Sequence, residues 1–132
     1  MVAAALFLEP YRYFVQWPKT NPDFSQKYLE ESYFLKAFPG FQKIIVANAS
    51  TGVKTEGLPT TVMTSKYILW QEIRDNEVSY IFPDELAKTS INAPFVLVSL
   101  EPNSSVLEQI KSRFPEGEII EQDNQFQVFM VK

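Results

Sequence analysis

The chain contains no cysteine and no histidine. Without cysteine there is no disulfide framework, no thiolate nucleophile and no cysteine zinc site, and cysteine usage says nothing about the redox compartment. Without histidine the usual general base near neutral pH and the commonest transition-metal ligand are both missing. Ser-His-Asp, Cys-His and histidine-zinc chemistry are therefore excluded within this chain. Nothing implies a cofactor or a metal. Catalysis would fall to Asp, Glu, Lys or Tyr. Long apolar runs are absent too: residues 2–8, VAAALFL, are far short of the roughly 20 needed to span a bilayer as a helix. That run also lacks the basic leader and cleavage site of a secretory signal. Positive charge is scarce, since 12 Lys and Arg stand against 16 Asp and Glu. With no general positive field to attract phosphates, nucleic acid is a poor partner.

What is present describes one folded domain. A chain of 132 residues is long enough for a single core, and an aromatic share of 14% argues for a packed interior over disorder. Asn21 and Pro22 form a helix start, because the Asn side chain can cap and proline at the first position gives up an N–H that had no partner. The pattern predicts a helix over 22–37 with Phe24, Tyr28, Leu35 and Phe38 on its apolar stripe and Gln26, Lys27, Glu30 and Glu31 facing elsewhere. Pro39 and Gly40 stop it. A β-branched run at 43–47 predicts a buried strand, and a polar loop follows over 48–57. Pro59 is expected to open the next helix, whose apolar face is wide and includes Val62, Tyr67, Ile68, Leu69 and Trp70. Residues 78–82 and 95–100 read as strands, the second apolar enough to be covered on both faces.

Asn103 or Ser104 caps a helix carrying Val106, Leu107, Ile110 and Phe114 at helical spacing. Segments 118–122 and 126–131, joined by 123–125, form a hairpin. Strands alternating with helices predict an α/β three-layer sandwich: a mainly parallel sheet, helices on both faces and a C-terminal antiparallel hairpin.

In such sheets ligands bind beyond the carboxyl ends of the strands. That rule makes Asn48, Ser50, Thr51, Thr60, Asn103 and Ser104 the candidate ligand-binding residues. The segment GVKTEG at 52–57 is neither a dinucleotide fingerprint nor a Walker loop, and a plain turn from strand to helix accounts for it. The paired carboxylates Glu30 and Glu31, Asp84 and Glu85, and Glu118 with Glu121 have no spacing that selects hydrolysis or metal binding, and solvated surface is the favoured account. Asn48-Ala-Ser50 and Asn103-Ser-Ser105 match the N-glycosylation pattern, which is common by chance.

The N-terminus carries Tyr11, Arg12, Tyr13, Phe14 and Trp17 within seven residues. This aromatic and basic mixture suits a membrane–water boundary. On the residues alone, an ordinary helix burying Phe7, Tyr11 and Phe14 at i, i+4, i+7 is the favoured account.

Three stretches resemble the C-terminal soluble domain of bacterial membrane glycosyltransferases related to the dolichyl-phosphate-mannose protein mannosyltransferases (family 39, C-type). They are EPYRYFVQW at 9–17 before the Asn21-Pro22 helix start; GVKTEGLP at 52–59 running on to Thr64 and Tyr67; and RFPEG at 113–117 through FQVF at 126–129. The resemblance implies a parent enzyme that moves a sugar from a polyprenyl-phosphate donor to an acceptor outside the cytoplasm. Its acidic catalytic residues lie in loops between membrane helices, and no such position exists here. No catalytic residue is therefore carried over. Residues 1–17 become the remnant of, or exit from, a membrane helix, with Tyr11, Arg12, Tyr13, Phe14 and Trp17 membrane-proximal. Residues 18–132 become a membrane-associated domain on the extracytoplasmic (periplasmic) side. Its implied partners are the membrane domain of the same parent chain and a glycan or lipid-linked sugar, and an exposed apolar N-terminal segment would let two copies pair. A self-contained small α/β ligand-binding module stands as the alternative.

Overall fold

The computed structural model describes residues 26–48, 54–122 and 126–132. The expected start at Asn21 and Pro22 and the aromatic segment at 11–17 lie outside the described residues. In chain order the elements are α1 (Gln26–Lys36), β1 (Gln42–Val46), β2 (Lys54–Thr55), β3 (Leu58–Pro59), α2 (Val62–Ile68), α3 (Trp70–Arg74), β4 (Val78–Ile81), a 3-10 turn (Pro83–Glu85), β5 (Phe95–Ser99), α4 (Ser104–Arg113), β6 (Glu118–Gln122) and β7 (Phe126–Val131).

The main sheet has the order β4-β1-β5-β7-β6. Strand β1 runs parallel to both β4 and β5, and β7 runs antiparallel to β5 and β6. This is the expected α/β architecture with its antiparallel C-terminal hairpin. Alternation along the central strands divides the interior in two. Ile45, Val96, Val98, Val128 and Met130 point to one face, where Tyr28 and Leu35 of α1 and Val62 of α2 cover them. Ile44, Val46, Phe95, Leu97, Phe129 and Val131 point to the other, under Val106 and Ile110 of α4 and Leu86 after the 3-10 turn. All five residues of β5 are buried, as a strand covered on both faces requires.

Three expectations need correction. The helix expected at Pro59 begins only at Val62, because Glu56 and Gly57 both take positive φ (54° and 80°) and fold 54–59 into a two-residue hairpin in which Pro59 pairs with Lys54. Positive φ at both central residues defines a type I′ turn, and glycine at the second spares it the Cβ clash. The apolar face of that helix is also narrower than expected: Tyr67 is 79% and Trp70 52% exposed. Val62, Ser65, Ile68 and Leu69 make up the buried side at i, i+3, i+6 and i+7, and Tyr67 and Trp70 fall on the opposite side. Finally, α1 does not present Glu31 to solvent. Tyr28, Glu31, Ser32 and Leu35 are its buried residues, an i, i+3, i+4, i+7 stripe.

Gly117 shows how closely the turn before β6 lies on the core. A Cβ built there would overlap the ring of Phe129, which is fully buried. That ring cannot swing aside, since it packs against Phe95 with centroids 6.2 Å apart, and Phe95 stacks edge-on against Phe114 at 4.9 Å. Gly117→Ala is expected to lower unfolding free energy by about 2 kcal/mol through overpacking. Urea denaturation monitored by tryptophan fluorescence measures it, and a midpoint equal to the wild type's would show that the turn has slack.

Candidate functional site at the carboxyl end of the central strand

The chain leaves β1 towards β4 on one side, and leaves β5 towards β6 on the other. The carboxyl ends of β1 and β5 therefore flank the point where the connections diverge, the place where open α/β sheets hold ligands. Asn48 fastens the two ends together. Its Nδ2 donates to the Glu101 carbonyl at 2.9 Å, and its Oδ1 accepts from the Glu101 amide at 3.0 Å. A side chain thus does the work of one more rung of sheet.

Glu101, held in this way, meets α1. Tyr28 donates its hydroxyl to Glu101 Oε1 at 2.5 Å, and Lys27 Nζ stands 3.7 Å from Oε2 while donating to the Leu100 carbonyl at 2.6 Å. One turn further along α1, Glu31 is 2% exposed, and its Oε1 has no hydrogen-bond partner. Burial pushes its carboxyl up to about 8, with the Lys27 ammonium pulling it down and the Glu101 carboxylate pushing it up. At neutral pH Glu31 is consequently an uncharged acid with an O–H to donate. Ser32, beside it, is satisfied by donating to the Tyr28 carbonyl at 2.7 Å.

Next to these groups lies a cleft of about 230 Å³ over the end of the sheet, lined among others by Lys27, Glu31, Ser99, Asn103, Phe126 and Gln127. Two oxygens at this cleft are buried without a partner, Glu31 Oε1 and Ser99 Oγ. Buried polar atoms in folded proteins are nearly always hydrogen-bonded, so two together mark a place that a ligand's polar groups would complete. Asn103 accepts from the Val106 amide at 3.2 Å and caps α4, which fixes the wall opposite α1.

The chain matches no protein-family model, no curated protein and no solved structure in comparison with each. What the domain can do must then come from its own residues. Among the described residues no group of three or more His, Cys, Asp or Glu could hold a metal ion. Among the same residues no helix is long and apolar enough to cross a membrane.

Of the residues the sequence singles out, Asn48 and Asn103 stand at this end of the sheet, Asn48 as the lock and Asn103 as cap and cleft wall. The nitrogen a glycan would take on Asn48 is already a donor to Glu101. Ser104 is exposed in the first turn of α4 and does not line the cleft. Thr60 is half-buried beside the small hairpin, where its hydroxyl stands 3.3 Å from that of Thr55. Ser50 and Thr51 lie outside the described residues. Sequence reasoning missed Lys27, Glu31, Ser99 and Gln127. The signal for Glu31 was available, since it falls three after Tyr28 and four before Leu35 on the stripe that faces the core. Ser99 carried a weaker one, as the single polar residue ending an otherwise apolar strand.

Asn48→Ala removes both halves of the lock and leaves the Glu101 amide and carbonyl to find new partners. Stability is expected to fall by about 2 kcal/mol. Hydrogen exchange at the Glu101 amide should accelerate with it, and unchanged protection there would mean that the lock is dispensable.

Proposed function

We propose that this chain is the extracytoplasmic accessory domain of a polyprenyl-phosphate-sugar-dependent membrane glycosyltransferase, non-catalytic by itself, and that it recognises donor or acceptor in the cleft at the end of β5. The observation that carries the recognition role is the pair of unpartnered buried oxygens, Glu31 Oε1 and Ser99 Oγ, at a cleft beyond the strand ends. The transferase context rests on the three stretches at 9–17, 52–59 and 113–129 and their likeness to the C-terminal domains of that group. The absence of catalysis follows from the same likeness, because the group's acidic residues belong to membrane-helix loops. The Glu101 carboxylate beside the cleft is engaged by Tyr28 and Lys27.

The second reading is a self-contained binding module that holds its ligand in the same cleft. The coding context separates the two. For the transferase domain, the reading frame upstream of the Val2 codon continues into several apolar segments of membrane-spanning length, and the isolated chain transfers no sugar from a polyprenyl-phosphate donor. A frame that opens at Met1 overturns the transferase reading and leaves the binding module.

A further inference from the structure

We propose that the cleft between α1 and α4 is a binding site for one uncharged, hydroxyl-rich ring of monosaccharide size, with the Glu31 carboxyl and the Ser99 hydroxyl as its buried hydrogen-bonding floor. This inference rests on reading the cleft as a recognition site and adds the class of ligand.

Size limits the ligand first. A volume of about 230 Å³ lies below the roughly 300 Å³ at which sites for drug-sized molecules begin, which suits a single ring. Charge limits it next. Lys27 lines one side of the cleft and the exposed Glu121 the other, with the Glu101 carboxylate 3.7 Å from Lys27. With one cation and one anion among its lining residues, the cleft has no net charge of its own to select an ion. The polar inventory then selects hydroxyls. Ser99 can donate or accept, Glu31 as an uncharged acid donates through one oxygen and accepts through the other, and Gln127 offers an amide with both capacities. A hydroxyl also donates and accepts, so a ring bearing several can satisfy all of these groups together. Phe126 and Leu107 supply apolar surface for the C–H faces that such rings carry between their hydroxyls.

The positions of the two floor oxygens are set by different elements. Glu31 comes from α1 on one face of the sheet and Ser99 from the last position of β5. Ser99 is followed in the chain by Leu100, whose carbonyl receives Lys27. The floor is therefore held by the packing of α1 on the sheet.

The test is a two-dimensional NMR titration of the 132-residue chain with the methyl glycosides of glucose, mannose and galactose, each up to tens of millimolar, with inorganic phosphate and methylamine as charged comparisons. The expected result is saturable shifts, for at least one glycoside, at the amides of Ser99, Asn103, Leu107 and Gln127, and none of comparable size with phosphate or methylamine. Glu31→Leu and Ser99→Ala should each weaken that binding about tenfold, the loss of one buried hydrogen bond, while circular dichroism shows the fold kept. Glu31→Gln, which keeps an uncharged donor and acceptor, should bind within about threefold of the wild type. Wild-type affinity should decline above about pH 8, where Glu31 ionises, and that of Glu31→Gln should not. Failure of every glycoside to shift these amides, saturable binding of phosphate or methylamine instead, or glycoside affinity indifferent to both Glu31→Leu and Ser99→Ala overturns the proposal. None of those results depends on the upstream reading frame, so the ligand class and the transferase context fail separately.

Discussion

Glu31→Gln is expected to stabilise the domain by on the order of 3 kcal/mol at pH 7 and to change little at pH 4. The carboxyl moves from an ordinary value of 4.5 to about 8 in the folded chain because burial penalises its charged form. Its folded-state value is raised, so the wild type is most stable below about 4.5, where folded and unfolded chains both hold the proton. As pH climbs from 4.5 towards 8 the unfolded chain releases that proton and the folded chain does not, and stability drains away across this window. An amide keeps the shape and never ionises, so the variant escapes the penalty. Urea denaturation of both proteins at several pH values reads the difference directly. Parallel stability profiles for the two proteins between pH 4.5 and 8 would mean that the carboxyl is not buried as described. The proposed binding site gives this unfavourable burial a reason, since sites of recognition commonly hold groups whose ionisation the fold has shifted.

Lys43→Ala should be the most damaging single change outside the apolar core, at about 3 kcal/mol. Lys43 is 0% exposed on β1, and its ammonium donates to the Phe38 carbonyl at 2.9 Å, the Phe41 carbonyl at 3.1 Å and Glu77 Oε2 at 3.0 Å. These three acceptors satisfy all of its N–H groups. They also tie the turn after α1 and the start of β4 to the amino end of β1. Truncation opens a cavity and strands two carbonyls and a carboxylate, although Glu77, with its side chain 33% exposed, recovers part of its loss from water. Lys43→Met fills most of the volume and should cost less than Lys43→Ala. The double variant Lys43→Met with Glu77→Gln should cost less than either single change predicts by addition, because the residual charge is gone. Strict additivity in that cycle would show that the 3.0 Å pair contributes nothing of its own.

Much of the fold was legible along the chain because its signals are local. The apolar run at 95–100 gives a strand buried on both faces, the pairing of 118–122 with 126–131 gives the hairpin of β6 and β7, and Asn103 ahead of Val106 and Ile110 gives a capped helix. Turn chemistry at Pro39-Gly40 and at 115–117 marks ends that the structure keeps. The hairpin at 54–59 was missed because Pro59 satisfies two rules at once: it suits the first turn of a helix, and it also tolerates a strand position where no donor is needed. The positive φ at Glu56 and Gly57 settles the choice, and Gly57 was its one visible sign. Tyr67 and Trp70 were counted with the apolar face because they are apolar, although the period of Val62, Ser65 and Leu69 puts both on the outer side of the helix.

The candidate site was harder to read for a different reason. Composition alone excluded cysteine and histidine chemistry, and the strand-end rule pointed to Asn48 and Asn103, because both inferences need only residue types and the order of elements. By itself, then, the sequence determined the α/β class, the division into strands and helices, and the end of the sheet at which to look. Only the tertiary structure decided that Glu31 and Ser99 are both buried at one cleft while Asn48 is spent on holding Glu101. Glu31 and Ser99 are 68 positions apart in the chain. No local pattern relates them, and a carboxylate on a helix looks solvated until the packing of α1 against the sheet removes its water. Desolvation and an unmet hydrogen bond are properties of that packing, and they come into being only when the chain has folded.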